Sequence, residues 1–180
     1  MFGSDRFNKA KNRGDVVFNS RFLKNLTLLE RSEFLQYCHR RQYKEGEYIY
    51  YQGDPGTGMY FIEEGKVELI VKPEPEHEGT AHSYFIEAPE SFGALSMGYE
   101  IRRISSVKCL TDCTLMGFFK PDFETLKKRH PVIAVKFMET LAEVAMKQLE
   151  IVTNELKKKS STEDALSLRF ETYKDLREET

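Results

Sequence analysis

The chain has 180 residues, of which 40% are hydrophobic and 12% aromatic, and its formal net charge is −2. This length suits one domain with extensions, and the apolar content is sufficient for a hydrophobic core. The slightly acidic balance excludes a generally basic nucleic-acid binder, so we expect no DNA partner. No apolar run approaches the roughly 20 residues that span a bilayer, and the N-terminus lacks an apolar segment of signal-peptide length. We therefore expect a cytoplasmic protein with no membrane partner.

Three cysteines occur, at Cys38, Cys109 and Cys113. A low, odd count is typical of a reducing compartment. Cys109 and Cys113 have the spacing CxxxC, but a zinc site needs about four ligands and the sequence has no second pair. We predict that the cysteines are small core or turn residues and that there is no metal site, with redox or metal chemistry as the alternative.

The first 41 residues have no β-like pattern. Residues 1–21 are polar and basic-leaning, which predicts a tail or a loosely packed helix. Apolar residues in the segment 21–41 recur with helical spacing, which predicts two short helices, with Ser32 as the cap of the second.

The period changes after residue 41, where short runs rich in Tyr, Ile, Val and Phe are separated by glycines. The loop GDPGTG at 53–58 is expected to be a structural turn, since it lacks the GK[ST] ending of a phosphate-binding P-loop. Gly65 in EEGK is expected to form a tight hairpin turn. Strands are predicted at 47–52, 59–62, 67–71, 83–88, 104–110 and 113–119.

Helical periodicity returns after residue 119. Pro121 and Asp122 open one helix, and Pro131 begins a longer one. We expect the first half of the long helix to pack on the domain and the second half to form a homodimer. Its apolar residues approximate a heptad seam, in which Gln148 is a polar exception; they are Ala134, Met138, Leu141, Ala145, Val152 and Leu156. A final amphipathic helix is expected over 160–180, with Leu166, Phe170 and Tyr173 on one side.

The order of helices, many short strands and a long helix predicts a mainly β fold with flanking helices. The expected architecture is a double-stranded β-helix or jelly-roll barrel with N-terminal helices and a long C-terminal helix. We assign residues 1–21 to an N-terminal tail or helix, 22–159 to the domain with its long helix, and 160–180 to a C-terminal extension.

Several motifs within this order resemble the cyclic-nucleotide-binding domain family, and in particular its catabolite-activator-like sensor domains. The stretch FGALSMGYEIRRISSV at 92–107 is similar to the family's phosphate-binding cassette, F-G-E-L-A-L-x-x-x-x-P-R-A-A-T-V. The resemblance covers roughly residues 22–155, and it is specific because separate motifs occur in the right order. The first half of the family pattern is matched by Gly46, Glu47, Ile49, Gln52, Gly53, Asp54, Tyr60, Phe61, Ile62, Gly65 and Val67.

The resemblance implies a binding site for a cyclic nucleotide. Arg103 matches the arginine that neutralises the cyclic phosphate through two parallel hydrogen bonds. Backbone N–H groups at the start of the cassette turn would add to this anion site. The ligand-binding residues implied in this way are Phe92, Gly93, Ala94, Leu95, Ser96, Arg103, Ile104, Ser105 and Ser106.

Three cassette positions depart from the family pattern. Ala94 stands where the family has a glutamate that accepts a hydrogen bond from the ribose 2′-hydroxyl, and loss of such a bond weakens binding about 10- to 100-fold. Arg102 replaces a proline and is expected to point outward, whereas Ile104 replaces an alanine with a bulkier side chain beside the phosphate. The expected ligand is cyclic AMP, cyclic GMP or a cyclic dinucleotide, or none.

The favoured function is a stand-alone regulatory module that senses a cyclic nucleotide and signals through its C-terminal helix to a partner protein. The segment after Lys159 is too short for the helix-turn-helix domain that follows this helix in the family's transcription factors. The alternative is a degenerate, ligand-free domain that acts as a dimeric scaffold or adaptor. We find no recognisable catalytic set of nucleophile and base, and predict that the chain is not an enzyme.

Overall fold

A computed structural model of the chain describes residues 15–73 and 80–167. The expected tail before Asp15 and the end of the C-terminal extension, with Phe170 and Tyr173, lie outside the described residues. The chain divides into two compact units, one that ends at Leu141 and one that begins at Ala142. No helix in the described ranges is long and apolar enough to cross a membrane.

The described part of the first unit begins with short helical segments. Helix α1 spans Asp15–Asn19 and buries Val16, Val17 and Phe18, so this part of the predicted loose segment is tightly packed. A 3-10 turn covers Arg21–Leu23, and helix α2 spans Leu28–Leu35.

The N-terminus of helix α2 is capped by a capping box between Thr27 and Glu30. The Thr27 hydroxyl accepts from the backbone N–H of Glu30 at 3.3 Å, and the Glu30 carboxylate accepts from the N–H of Thr27 at 2.7 Å. These bonds satisfy N–H groups that the first helical turn leaves without partners. The prediction of Ser32 as the cap was wrong, because Ser32 lies inside the helix that Thr27 already opens.

The described residues form eight strands in two four-stranded antiparallel sheets. The first sheet has the order β1-β8-β3-β6 and the second the order β2-β7-β4-β5. The jelly-roll prediction is confirmed, but the two sheets form a sandwich and do not join into a closed barrel. The strands are β1 His39–Tyr43, β2 Tyr48–Tyr50, β3 Gly58–Glu64, β4 Lys66–Val71, β5 His82–Glu87, β6 Ser91–Phe92, β7 Ser106–Cys109 and β8 Cys113–Phe119.

Strand β3 has both of its faces buried. Met59 and Phe61 pack with the helices around Phe34 of α2, whereas Tyr60 and Ile62 pack in the cluster that includes residues of the second sheet. Successive side chains of a strand point to opposite faces. The uninterrupted apolar run MYFI is therefore explained by two hydrophobic clusters, one on each side of the first sheet.

Gly65 forms the predicted turn, but the turn is not a hairpin. It joins β3 of the first sheet to β4 of the second, and these two strands do not pair with each other. The φ angle of Gly65 is 97°. A Cβ at this position would lie 2.6 Å from both the carbonyl oxygen of Asp112 and the Sγ of Cys113. The glycine is required because the chain crosses between sheets in a crowded place.

Strand β1 was not predicted from the sequence. It begins inside the segment 21–41 that was assigned to helices, and its side chains are mostly polar and exposed. It pairs antiparallel with β8, with His39 opposite Gly117 and Tyr43 opposite Cys113. Because the partner strand lies far along the chain, no local periodicity marks β1.

Two helices follow β8 and begin as their prolines predicted. Helix α3 spans Lys120–Arg129, with proline in its first turn, and helix α4 spans Pro131–Lys159. The Nζ of Lys136 in α4 lies 2.7 and 2.8 Å from the two carboxylate oxygens of Glu30 in α2. The first half of α4 packs in the core, as expected, through Ile133, Ala134, Phe137 and Leu141.

The second unit contains the distal half of α4, which carries exposed or half-buried apolar residues. Their spacing alternates between three and four residues and favours a different heptad register from the predicted one. In this register, Leu149 takes the seam position that was predicted for Gln148. Leu141 lies in the core and is not part of the seam. Residues 162–167 form a further helical segment. The seam consists of Ala142, Ala145, Leu149, Val152 and Leu156.

Candidate functional site

The predicted cassette leads from the first sheet to the second. Phe92 ends β6, Gly93 has a φ of 79°, and a 3-10 turn covers Ala94–Met97 before the chain reaches Arg103 and β7. A single short turn lacks the aligned peptide dipoles of a longer helix. The expectation that backbone N–H groups of this turn attract an anion stays a prediction, and the positive side-chain charges of the segment are those of Arg102 and Arg103.

The guanidinium of Arg103 is held by three neighbours inside the protein. Nη1 donates to the Oγ of Ser96 at 2.8 Å, and Nη2 donates to the backbone carbonyl of Gly58 at 2.7 Å. The guanidinium carbon lies 4.1 Å from the centroid of the Tyr50 ring, a separation at which the cation is attracted to the ring face. Arg103 is only 6% exposed, so its position is fixed before any ligand arrives.

The buried charge of Arg103 has no carboxylate partner within the described ranges. Its three neighbours are a hydroxyl, a carbonyl and an aromatic ring, none of which carries a net charge. An arginine remains protonated in a protein, and a buried cation is costly unless an anion compensates it. The environment of Arg103 therefore favours an incoming anion.

The glycine loop at 53–58 is bonded to the cassette. The N–H of Gly53 donates to the carbonyl of Arg103, and the N–H of Arg103 donates to the carbonyl of Asp54, both at 2.8 Å. The N–H of Gly56 donates to the carbonyl of Ile101 at 2.8 Å. The loop is a turn, as predicted, but it also fixes Arg103. This role was missed because a backbone contact leaves no residue pattern in the sequence.

Gly93 provides the space that Arg103 occupies. A Cβ built on Gly93 would lie 2.7 Å from Nη1 of Arg103 and 3.2 Å from the carbonyl oxygen of Gly58. The positive φ of Gly93 also disfavours other residues. The glycine and the arginine that the cassette motif singled out are thus two parts of one arrangement.

Four other predicted residues lie in or beside the surroundings of Arg103. Ser96 is buried and contacts the guanidinium directly. Ser105 is buried beside the Tyr50 side chain, and the Oγ of Ser106 accepts from the N–H of Gln52 at 2.9 Å. Phe92 stacks on Tyr60 with ring centroids 5.3 Å apart.

The remaining predicted residues do not contact the guanidinium. Ile104 is 79% exposed, and its expected position beside the phosphate stays a prediction. Neighbouring residues of an extended segment point in opposite directions, and Arg103 takes the inward one. Leu95 is exposed and Ala94 is half-buried. Arg102 points outward, as expected, and donates from Nη1 to the carbonyl of Gly53 at 2.8 Å.

Sequence reasoning missed two tyrosines close to Arg103. Burial raises the pKa of Tyr50 and of Tyr60, and the charge of Arg103 partly opposes this shift in both cases. Both hydroxyls therefore stay protonated at neutral pH and serve as neutral polar groups. Regular alternation along β2 would place Tyr50 on the same face as the exposed Tyr48. The register shift between these two residues separates them, so no sequence pattern marked Tyr50 as inward.

The cysteines lie outside the cassette. Burial raises the pKa of Cys109 to about 12, and buried thiols of this kind react poorly because the thiolate is the reactive form. In the ranges 15–73 and 80–167, no cluster of His, Cys, Asp or Glu could hold a metal ion. An open cavity of about 260 Å³ is lined by Cys113, Lys44, Asp112 and their neighbours, and no cassette residue lines it.

Comparison with known proteins assigns the family. The family model described as cyclic nucleotide-binding domain matches residues 40–130, half of the chain. The chain belongs to the cyclic nucleotide-binding domain family. The matched segment contains the glycine loop, the cassette turn and Arg103, so the arrangement described above lies within the part that defines the family.

Individual relatives match more than half of this chain. The cyclic AMP receptor protein of Thermus thermophilus is 33% identical over 109 residues, which are 60% of this chain and 49% of that protein. Human cGMP-dependent protein kinase 2 is 26% identical over 115 residues, 64% of this chain and 14% of the kinase. The crystal structure of Thermus thermophilus catabolite activator protein gives a TM-score of 0.65 at 29% identity, covering 81% of this chain and 63% of that one. The chain therefore spans about half the length, or less, of these two curated relatives.

Proposed function

We propose that this member of the family is a regulatory module that binds a cyclic nucleotide, with the phosphate at Arg103. The single observation that carries the proposal is the buried guanidinium without a carboxylate partner in the described residues. The names of two relatives refer to cyclic AMP and cyclic GMP, so these are the first ligands to test. A cyclic dinucleotide presents the same phosphodiester group and is the third.

The chemistry of the phosphodiester suits this arrangement. A cyclic phosphate carries one negative charge and two exocyclic oxygens, each of which accepts hydrogen bonds. Arg103 has N–H groups in addition to the two that donate to Ser96 and Gly58, since a guanidinium has five donors. A charge-assisted bond to an anion is roughly twice as strong as a neutral one, and desolvation strengthens it further.

A chain of contacts links this site to helix α4. Ser96 is followed by Met97, which packs in the same hydrophobic cluster as Leu141 of α4. A Cβ built on Gly98 would lie 3.4 Å from Cδ2 of Leu141. A ligand that repositions the cassette turn therefore changes the packing of Leu141. Such a switch operates only if the ligand has different affinities for the two arrangements.

The output we propose is self-association or partner binding through the distal half of α4. The seam residues are apolar, at least partly exposed and spaced as in a heptad repeat. A second copy of the same helix satisfies such a seam, because identical heptads are mutually complementary. A separate partner protein with a matching amphipathic helix is the alternative outcome.

Titration calorimetry with cyclic AMP, cyclic GMP and a cyclic dinucleotide tests the proposal. We expect saturable binding of at least one ligand to the wild-type chain. Arg103→Ala should abolish it, and Arg102→Ala, which removes an exposed arginine of the same cassette, should retain it. Absence of heat up to millimolar ligand, with the protein folded by circular dichroism, would overturn the ligand-binding function.

A ligand-free dimeric scaffold is the second candidate, and the crowded surroundings of Arg103 favour it. Tyr50, Tyr60 and Phe92 lie within one aromatic cluster. Protein oxygens already accept hydrogen bonds from both terminal nitrogens of the guanidinium. In this case, self-association should be the same in the wild type and in Arg103→Ala, with and without nucleotide. A change of association state on addition of nucleotide would exclude the scaffold function.

A further inference from the structure

The chain turns back on itself at the end of helix α4. Ser160 and Ser161 alone separate α4 from the helical segment 162–167, which we call the returning helix. The N–H of Ser160 donates to the carbonyl of Leu156 at 2.8 Å, and the N–H of Asp164 donates to the Oγ of Ser161 at 3.0 Å. The first bond extends the end of α4, and the second caps the start of the returning helix. A connection of this length joins helices that lie antiparallel.

Burial marks the faces along which the two helices meet. Thr153 is 7% exposed and Ala165 is 3% exposed, and no other residue in the range 142–167 is buried. The side chains that adjoin Thr153 on its own helix are exposed at Leu149 and half-buried at Leu156, so a second element covers Thr153. The short connection places the returning helix on this side of α4.

An apolar stripe runs along α4 from Thr153 to Ala142. Residues three and four positions apart adjoin on a helix surface, so Thr153 adjoins Leu149. In the same way, Met146 lies between Leu149 and Ala142. Leu149 is 46% exposed and Met146 is 64% exposed, and Ala142 is exposed as well. A contiguous apolar row of this kind indicates a surface for another segment, and it shares Ala142 and Leu149 with the seam.

We propose that the segment 168–180 continues the returning helix and docks on this stripe, where it covers part of the seam that a second copy would use. The C-terminal segment is then an internal competitor of self-association. The inference rests on the proposed function only in taking the seam as the output surface. The docking itself requires no ligand.

The sequence of the segment suits the stripe. Phe170 follows Leu166 after four residues and Tyr173 follows Phe170 after three, which is the spacing that gathers apolar side chains on one side of a helix. Leu176 extends this side by another turn, whereas Asp175 falls on the opposite side of the pattern. An aromatic pair supplies much apolar area for burial against exposed aliphatic side chains.

The length of the segment also fits. It has 13 residues beyond Ser167, which extend about 20 Å as a helix. Along α4, the distance from Thr153 to Ala142 is about 17 Å at the same rise per residue. Because the returning helix lies beside Thr153 and runs antiparallel to α4, its continuation passes the stripe and reaches Ala142.

A single tryptophan reports the docking, because the chain contains none. In full-length Tyr173→Trp, we expect blue-shifted emission and protection from acrylamide quenching. Asp175→Trp is the matched control and should be quenched freely. Addition of Leu149→Glu should expose the indole of Tyr173→Trp, whereas addition of Ile151→Glu should leave it protected. Circular dichroism establishes that each variant folds, and equal quenching of both indoles would overturn the proposal.

Dilution identifies the chain on which the segment docks. Docking within one chain predicts that the indole of Tyr173→Trp stays protected at concentrations where sedimentation velocity finds only monomers. Protection that disappears on dilution, in step with dissociation, would assign the segment to an interface between two copies and overturn the proposal.

The competition with self-association is measured in the full chain with Phe170→Ser and Tyr173→Ser combined. Loss of both aromatic side chains frees the stripe, so the dissociation constant of the dimer should fall several-fold below that of the wild type. Asp175→Ser is the control and should leave the constant unchanged. An unchanged or weaker dimer in the double variant would show that the segment does not compete with a second copy.

Failure of the inference is distinguishable from failure of the proposed function. Calorimetry with cyclic AMP tests the site at Arg103, which the segment does not have to contact. A freely quenched indole in Tyr173→Trp, together with saturable nucleotide binding, overturns the inference alone. A protected indole in a chain that binds no nucleotide overturns the ligand-binding function alone.

Discussion

The guanidinium of Arg103 lies over the ring of Tyr50, 4.1 Å from its centroid, while its two terminal nitrogens donate to Ser96 and Gly58. A planar, five-donor group is needed for this combination of stacking and forked hydrogen bonding. A lysine ammonium carries the same charge but neither stacks in this way nor forms two parallel bonds.

The first prediction therefore concerns Arg103→Lys. We expect ligand affinity to fall at least tenfold, although the charge is retained, because the fork geometry is lost. Arg102→Lys is the matched control, since Arg102 is exposed and donates only to the Gly53 carbonyl. Equal affinities of Arg103→Lys and the wild type in calorimetry would show that charge alone binds the ligand.

The second prediction uses two glycines with similar backbone angles. Gly93 and Gly53 have φ of 79° and 88°, so alanine at either position should cost about 1–2 kcal/mol of stability. A Cβ at Gly53 meets nothing within 4 Å, whereas one at Gly93 approaches Nη1 of Arg103 to 2.7 Å. We expect both variants to lose thermal stability, Gly93→Ala by the larger amount because its Cβ displaces the buried guanidinium, and only Gly93→Ala to lose ligand binding. Retained binding in Gly93→Ala would contradict the close relationship of Gly93 and Arg103.

The third prediction concerns Ala94. Because the methyl group cannot accept a hydrogen bond from a ribose, wild-type protein should bind cyclic AMP and 2′-deoxy cyclic AMP with nearly equal affinity. In Ala94→Glu, cyclic AMP should bind about 10- to 100-fold more tightly than the deoxy form. Ala94→Gln, which lacks the charge, is the control and should discriminate less. A strong preference of the wild type for the ribose form would identify another acceptor.

The fourth prediction is a pH dependence of stability through Glu30. Its pKa lies below the ordinary value of 4.5, first because the carboxylate accepts from Lys136 and then because it accepts from the N–H of Thr27. A lowered pKa in the folded state stabilises the fold above the unfolded-state value, and this contribution is lost as the pH falls below 4.5 through the folded-state pKa.

Glu30→Gln should therefore lower the unfolding free energy at neutral pH by up to about 1 kcal/mol and have a smaller effect below the pKa of Glu30. Urea titrations at several pH values measure the difference. Glu124→Gln is the control, because its ion pair with Lys127 joins neighbouring turns of one exposed helix. A constant difference between wild type and Glu30→Gln across pH would exclude ionisation of Glu30 as the cause.

The fifth prediction concerns the seam on the distal half of α4. Leu149 lies in the seam and is 46% exposed, whereas Ile151 is 61% exposed on the opposite side of the helix. If two copies pair through the seam, Leu149→Glu should weaken the dimer, and Ile151→Glu should leave it intact. Sedimentation velocity across a concentration series measures both. A monomeric wild type at every concentration would remove self-association from the proposed output.

Much of the cassette could be predicted from the sequence because its turn chemistry is local. Gly93 and Arg103 were identified from the motif, and Pro131 marked the start of α4 as the structure has it. The contacts of Arg103 were less accessible, since one acceptor is the backbone carbonyl of Gly58 and the stacking partner, Tyr50, belongs to another strand. The outward direction of the exposed Ile104 could not be predicted, because a motif does not show to which side each residue points.

The elements that escaped prediction depend on long-range pairing. Strand β1 has no alternation of apolar and polar residues, and its partner is the last strand of the domain. The Gly65 turn was recognised by its residue type, but no local signal indicates that the two flanking strands belong to different sheets. The heptad register of the distal half of α4 could be assigned only from the observed burial of its residues. Leu141 and Ala142 are both apolar, but only Leu141 lies in the core.

The strand order β1-β8-β3-β6 also has a consequence for synthesis of the chain. Strand β8 lies between β1 and β3, so a nascent chain cannot complete the first sheet until Cys113–Phe119 has left the ribosome. Until then, β1 lacks its neighbour and the apolar run of β3 lacks one of its two pairing partners. Sheets built from distant strands form slowly and expose edges meanwhile. A ribosome-bound chain that ends before β8 should therefore be protease-sensitive, and it should become resistant once this strand has emerged.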